Sequence, residues 1–324
     1  MPLTHDANNG NSLSYLREGP EIAETEIGQD RRRGDDTGAR MSSHHRGALG
    51  LAAIAAACFS TAPVVLIWAE PLSAYEKSMW RMCIATLTVA AMAWSQGRPP
   101  RYGRSDGRKF VLYGLVTALH FLTFVASLNF TSIAHSVTVT YTAPIFVTLF
   151  SALILKEHIS PRKWLGVLVV LVGIGVLVGF EPTLTPRMLI GDGLALLSAV
   201  AFGVYSVMGR SQREMYPLLT YAFGVYGIAT LWLIPAAAVS FTPDAYGLQQ
   251  VLALLWVGVV PLGIGHTLYN AAVRRAHATY ANLIATQEVT GSVILGALLL
   301  GQTPGANAII GIAIALGGIA LVLL

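Results

Sequence analysis

Charged residues and cysteines are scarce in this chain. Only 12% of the 324 residues are charged, against about a quarter in a soluble domain. The two cysteines, Cys58 and Cys83, form no CxxC pair, which argues against a disulfide framework and a thiolate zinc site. The chain also lacks a GxxxxGK(S/T) phosphate loop, an HExxH zinc motif and a GxSxG nucleophile elbow. We therefore expect no enzyme, no cofactor, no metal and no direct use of ATP.

Hydrophobic residues are abundant. They make up 54% of the chain, and the mean hydropathy is +0.59. Lipid offers the backbone no hydrogen-bond partners, so a chain of this kind crosses a bilayer as helices of about 20 apolar residues. We predict an all-α integral membrane protein with ten transmembrane helices. They lie near residues 48–69, 73–94, 110–130, 134–155, 163–180, 192–209, 217–240, 250–273, 279–300 and 307–324.

The segment 1–46 differs from the rest. It is polar and holds eight of the seventeen acidic residues, which predicts a disordered tail, and Met41 within it is an alternative start. Lys and Arg concentrate in this tail and in every second loop after it. The positive-inside rule then predicts a multi-pass protein of the bacterial inner membrane with a cytoplasmic tail and C-terminus. Loop basicity also accounts for the pI near 9.1 without nucleic-acid binding.

A repeat of 145 residues runs through the chain. At this offset Gly166 pairs with Gly311, and Gly173 pairs with Gly318, which predicts two halves of five helices each. Because five is odd, the second half enters the membrane from the opposite side and the repeat is inverted. Inverted repeats are typical of secondary transporters, whereas duplicated packing units in an inert scaffold are the alternative. The predicted halves are residues 47–180 and 181–324.

A resemblance to a known family lies in two stretches: AHSVTVTYTAPIFVTLFSALILKEHISPRKWLGVLVVLVGIGVLV at 134–178, and a looser counterpart at 279–323. The chain resembles EamA-type transporters of the drug/metabolite transporter superfamily, which contain two EamA repeats. Arg81, in SMWRMCIATL, matches an arginine that such families carry early in the second helix. Many of them also carry a Glu-Pro pair in helix 9 and an acid at its end; here valine follows Glu288, and Gln302 replaces the acid. The resemblance implies that helices 3, 4, 8 and 9 line a substrate cavity.

Glu288 is the one acidic residue near the middle of a predicted span. A charge at that depth costs about 2.5–3.5 kcal/mol, so intramembrane acids usually face a cavity and mark substrate or proton pathways. We predict that Glu288 contributes both to substrate binding and to proton coupling. The alternative is a protonated Glu288 that hydrogen-bonds a neighbouring helix. Ala281, Ala285 and Ser292 share its helix face and suit either role.

Other polar residues share helix faces inside predicted spans 3, 4 and 8. Packing, or a hydrogen bond to the residue's own helix, is the alternative to substrate contact for each of them. Three residues receive structural roles: Pro144 frees a backbone carbonyl, Arg81 is an anchor extending toward the outer interface, and Glu157 ends span 4 at the cytoplasm. For Arg81 the alternative is attraction of an anionic substrate group or pairing with a buried acid. Besides Glu288, the predicted substrate-binding residues are His120, Thr123, Thr138, Tyr141, Thr142, His266, Tyr269 and Asn270.

Together these features predict a secondary transporter. It moves a small metabolite, amino-acid-like or drug-like, by alternating access, as an exporter that exchanges its substrate for protons through Glu288. The predicted partners are a small-molecule substrate and the lipid bilayer, with no nucleic acid. A passive channel or facilitator for small polar solutes is the alternative. Poorly saturating flux that is insensitive to Glu288→Gln favours that alternative.

Overall fold

The computed structural model describes residues 47–103, 106–131, 136, 139–178, 185–301 and 306–323. Within them the regular structure is helical. The predicted tail, Thr138 and Gln302 lie outside the described residues. We number the ten principal helices of the described residues in chain order. They are α1 (Gly47–Trp68), α2 (Ala74–Ser95), α3 (Gly107–Ser127), α4 (Ala143–Ile154), α5 (Pro161–Val178), α6 (Pro186–Ser211), α7 (Leu218–Val239), α8 (Leu248–Arg275), α9 (Ala278–Leu300) and α10 (Ala306–Leu323).

Six of the described helices are long and apolar enough to cross a bilayer, namely α1, α3, α6, α7, α8 and α9. α2 has a similar length but carries Glu76, Lys77 and Arg81 in its first half. Each of the ten predicted runs overlaps one described helix. The all-α prediction is therefore confirmed for the described residues, whereas the number of helices that cross the membrane stays a prediction.

α4 covers the later part of the predicted run at 134–155, and residues 136, 139 and 140 before it are also helical. It begins at Ala143, directly after a turn at residues 141–142, and Pro144 lies in its first turn. Proline is favoured there because the first N–H groups of a helix have no intrahelical acceptor. Pro144 therefore stands in the first turn of α4, and the backbone carbonyl that it frees stays a prediction.

α9 is also interrupted, although valine stands where related families carry proline. Its first segment is Ala278–Ala285, and its second segment begins at Glu288 after a turn at residues 286–287. This turn follows the turn before α4 by 145 residues, the offset of the sequence repeat. The described part of α4 and the second segment of α9 thus begin at equivalent positions of that repeat.

α8 contains a π-helical stretch, Gly258–His266. Pro261 lies within it and has no backbone N–H to donate, which disturbs the regular α-helical ladder. A Cβ atom on Gly258 would lie 2.5 Å from Cβ of Ile84, so glycine lets α8 approach α2 closely. Such π-helical turns are frequent at functional sites, and His266 is the last residue of this one.

α5 and α10 pack through two reciprocal glycine contacts. A Cβ atom on Gly173 would lie 2.4 Å from the backbone nitrogen of Ala315, and one on Gly318 would lie 2.7 Å from the backbone nitrogen of Val170. Larger side chains would push the two backbones apart. Val170 and Ala315 are also 145 residues apart, so each contact is the repeat of the other.

The main buried core lies where α2 packs on α7 and α8, and where α3 packs on α6 and α7. α1, α4 and α9 contribute small residues to the same core. Its fully buried members include Met82 of α2, Tyr205 of α6 and Tyr226 of α7. These helices surround a cavity and fix the side chains that line it.

Candidate substrate cavity

A cavity of about 60 Å³ lies inside the bundle. Most of its wall is apolar, with the rings of Phe59, Phe121, Phe124 and Phe202. Four of the predicted substrate-binding residues line it. They are His120 of α3, Tyr141 before α4, His266 of α8 and Glu288 of α9.

Arg81 also lines the cavity. Its side chain is buried, and its guanidinium carbon lies 5.2 Å from the centroid of the Phe121 ring, which is a cation–π contact. Nε and Nη1 have no hydrogen-bond partner among the described residues. We had predicted that Arg81 extends toward the outer interface. The structure instead places it beside the cavity, where the Phe121 ring and the charge of Glu288 stabilise the cation.

Glu288 occupies the first position of the second segment of α9, where the positive end of the helix dipole favours a carboxylate. The Tyr141 hydroxyl lies beside the Glu288 side chain in the cavity wall. The Ser60 hydroxyl donates to the Glu288 backbone carbonyl over 3.3 Å. Glu288 thus lies where α9 meets α1 and the turn before α4, and it lines the cavity.

Two histidine rings stand on one side of the cavity, with centroids 6.5 Å apart. Nδ1 of His120 is 2.9 Å from the Ser198 hydroxyl and 3.1 Å from the Ser198 carbonyl oxygen, which fixes the ring. The His266 ring packs 4.3 Å from that of Phe59, and its Nδ1 has no partner among the described residues. Both rings are therefore positioned, and His266 retains an unused polar atom.

The remaining described residues of the prediction do not line this cavity. The hydroxyls of Thr123 and Thr142 donate to backbone carbonyls one turn earlier, at 2.7 Å each. This is the alternative to substrate contact, a hydrogen bond within the local chain, that the sequence left open. Tyr269 and Ser206 share a hydrogen bond of 2.7 Å. Asn270 donates to the Tyr205 hydroxyl over 2.6 Å. The contacts of Tyr269 and Asn270 belong to a buried cluster of α6 and α8 that adjoins the cavity, where the Tyr269 ring packs 5.3 Å, centroid to centroid, from that of Phe202.

Sequence reasoning missed several residues of these sites. Asn282 and Thr286 line the cavity. Each of them directly follows one of the alanines, Ala281 and Ala285, that we had placed on the helix face of Glu288. Their spacing of four is a signal that could have identified them. Tyr205 has no comparable signal, because its hydrogen-bond partner Asn270 lies 65 residues away in the chain.

Glu157 lies between α4 and α5, outside the spans, at one end of the bundle. It forms an ion pair with Arg210, and it accepts a hydrogen bond from Nδ1 of His277 over 3.1 Å. Arg210 also donates to the carbonyl oxygen of Val273 over 2.9 Å. Burial favours a higher pKa for Glu157, but the hydrogen bond from His277 and the charge of Arg210 hold this pKa below its ordinary value. The cluster therefore joins α4, α6 and the α8–α9 connection.

The sequence model of the EamA-like transporter family matches the chain twice, over residues 46–179 and 189–324. The chain belongs to the EamA-like transporter family. This membership confirms the resemblance to EamA-type transporters of the drug/metabolite transporter superfamily, and with the long apolar helices it indicates a multi-pass membrane protein. In the described part of the chain no three His, Cys, Asp or Glu side chains converge as metal ligands would.

Several relatives are named as transporters. An uncharacterized transporter of Clostridium kluyveri is 26% identical over 53% of this chain, and the match spans 57% of that relative's length. The pseudopaline exporter CntI of Pseudomonas aeruginosa is 29% identical over 74% of this chain and 82% of its own. The aromatic amino acid exporter YddG of Ancylobacter novellus is 26% identical over 62% of this chain and 70% of its own.

A solved crystal structure shares the fold of this chain. The TM-score is 0.72 at 21% sequence identity, and the alignment covers 85% of this chain and 96% of the other. At this identity the likeness shows the fold alone. The function of the cavity must be argued from its own residues.

Proposed function

We propose that this protein is a secondary transporter that exports a small amino-acid-like or drug-like metabolite by alternating access, coupled to protons through Glu288. The observation that carries the proposal is the cavity with Glu288 and Arg81 in its wall. Charged side chains inside the membrane are expensive and typically mark substrate or ion pathways. Transport, and not catalysis, is the use of such a cavity that accords with the names of the relatives.

Alternating access in this proposal depends on an inverted repeat of ten transmembrane helices, with halves at residues 47–180 and 181–324. Two family matches support it, as do the reciprocal glycine contacts of α5 with α10. The equivalent interruptions before α4 and within α9 support it as well. Interrupted helices that meet near the midplane form the substrate sites of many transporters built from inverted repeats.

Proton coupling is assigned to Glu288 because this residue lines the cavity together with Tyr141 and Arg81. Binding or losing a proton there changes the charge of the site by one unit. Direction and orientation rest on other grounds: two relatives are named as exporters, and loop basicity supports cytoplasmic termini in the bacterial inner membrane. The predicted roles of His120, Tyr141 and His266 as substrate contacts stand within this proposal.

The test is untargeted metabolite profiling of cytosol and medium. Cells express the wild type, Glu288→Gln, the control Glu214→Gln or no transporter, at matched membrane levels. Glu214 is the control because its side chain is 82% exposed in a loop. We expect one compound class to move into the medium with the wild type and the control, and at least about tenfold less with Glu288→Gln, as for loss of a coupling charge.

Two results contradict the proposal. If wild-type cells match cells without the transporter, export is wrong. If Glu288→Gln moves the same compounds as the wild type, proton coupling through Glu288 is wrong, and flux that fails to saturate then identifies a passive facilitator.

A further inference from the structure

Arg81 has the features of a ligand-binding group that lacks its ligand. The guanidinium is buried in the cavity wall, with one face against the Phe121 ring. Its Nε and Nη1 have no acceptor among the described residues. Buried polar groups are nearly always hydrogen-bonded, so an unpaired donor at a cavity calls for an explanation.

We propose that Arg81 binds a carboxylate of the transported substrate, whose apolar or aromatic body lies among the phenylalanine rings of the cavity. The inference rests on the proposed transport function and names the substrate class of the same site. Guanidinium donors form a planar fork that matches the two oxygens of a carboxylate.

A second observation favours an anion in the same place. α4 begins at Ala143, which lines the cavity, and the helix runs for 12 residues away from it. The N-terminus of a helix carries partial positive charge. In transporters with interrupted helices, such N-termini point at anionic substrate groups. The positive end of α4 and the Arg81 cation thus both favour negative charge in this cavity.

Glu288 does not satisfy the free donors of Arg81. The two charges act on each other, but Nε and Nη1 remain without an acceptor among the described residues. Glu288 also repels a second anion. Neutralising Glu288 should therefore strengthen the binding of a carboxylate. In a site built for an amine, the same change should weaken the binding of the amine.

The rest of the wall determines the body of the substrate. Phe59, Phe121, Phe124 and Phe202 surround the space, and His266 packs against Phe59. Aromatic rings favour flat apolar groups in stacked or edge-on contact. A small aromatic or apolar carboxylate therefore matches both the charged part and the apolar part of the cavity.

The test compares three probes that share one phenylpropyl skeleton: 3-phenylpropionate, 3-phenylpropanamide and 3-phenylpropylamine. Each is titrated into the purified full-length protein in detergent micelles by isothermal titration calorimetry. We expect the carboxylate to bind at least about tenfold more tightly than the amide or the amine, the usual effect of a charge-assisted hydrogen bond. Equal or tighter binding of the amide or the amine overturns the proposal, and so does the absence of carboxylate binding at millimolar concentration.

Variants assign the effect to Arg81. Arg81→Gln should bind the acid and the amide equally, Arg81→Lys should keep part of the preference, and Glu288→Gln should bind the acid more tightly. Arg213→Gln is the control, because Arg213 is exposed and pairs only with its neighbour Glu214 among the described residues. An unchanged preference in a folded Arg81→Gln overturns the proposal. If that variant does not fold, Arg81→Lys and the wild-type comparison of the three probes still decide.

Flux through liposomes separates this inference from the transport function. Carboxylate binding at Arg81 without movement of labelled 3-phenylpropionate across the membrane supports the binding site and contradicts transport of that class. Movement of the amine, with no preference for the acid in binding, overturns the carboxylate site and leaves transport intact.

Discussion

The cavity and the Glu157 end of the bundle both bury charge, but they treat it in opposite ways. At the end of the bundle, Glu157 is paired with Arg210 and His277, and Arg210 also donates to backbone carbonyl oxygens. In the cavity, Arg81 keeps two nitrogens without partners among the described residues. The first site is paired within the described residues, and the second lacks an acceptor among them.

This difference distinguishes a structural charge from a functional one. A paired, hydrogen-bonded charge stabilises the arrangement in which it is observed, and removal of one partner leaves the other buried and uncompensated. An unpaired buried donor destabilises the protein on its own and is tolerated where a ligand completes it. The comparison therefore predicts opposite responses when the two arginines are replaced.

The largest effect on stability is expected at Arg210. Arg210→Met should lower the free energy of unfolding by about 3 kcal/mol, because Glu157 loses its main partner and stays largely buried. Equilibrium unfolding in mixed micelles measures the change. The control Arg213→Met, which removes an exposed pair with Glu214, should change it by less than about 0.5 kcal/mol. Equal values for the two variants would show that the Glu157 cluster is not structural.

The pH dependence of the same cluster gives a smaller effect. The folded state lowers the pKa of Glu157 below its ordinary value of 4.5. Its contribution to stability is therefore fully present above about pH 5 and is lost as the pH falls through the lowered pKa of the folded state. Glu157→Gln should be less stable than the wild type at pH 6, and this deficit should shrink with acidification. The exposed-site control Glu214→Gln should follow the wild type, and a Glu157→Gln deficit independent of pH would contradict the assignment.

The smallest effect is expected at Arg81. Arg81→Met has a similar length, and it removes a buried charge with unpaired donors, so stability should stay within about 1 kcal/mol of the wild type or rise. The same unfolding measurement applies. A loss as large as that of Arg210→Met would end the distinction between the two sites and would make Arg81 a structural residue.

Local sequence patterns account for much of this architecture. The apolar runs predicted where the helices lie, because burial in lipid imposes a length and a composition that can be recognised locally. An acid in the middle of a run directed attention to Glu288, and helical spacing identified His120 and His266. The all-helical class and the family needed no tertiary information.

Contacts between distant segments could not be read in that way. Arg81 faces the cavity because α3 supplies Phe121 and α9 supplies Glu288, far along the chain. The partners of Glu157 lie 53 and 120 residues away. The interruption of α9 occurs without proline, so no local signal marked it. Each of these features depends on which helices meet, and a single sequence does not state that.

The central claim is that Glu288 couples protons to transport. The most direct measurement uses liposomes that contain the purified protein, a pH-sensitive dye inside and the labelled substrate that metabolite profiling provides. The account predicts that a pH gradient drives wild-type accumulation together with proton movement. Glu288→Gln should exchange labelled for unlabelled substrate but should neither accumulate it nor move protons. Accumulation by Glu288→Gln equal to that of the wild type would contradict the account.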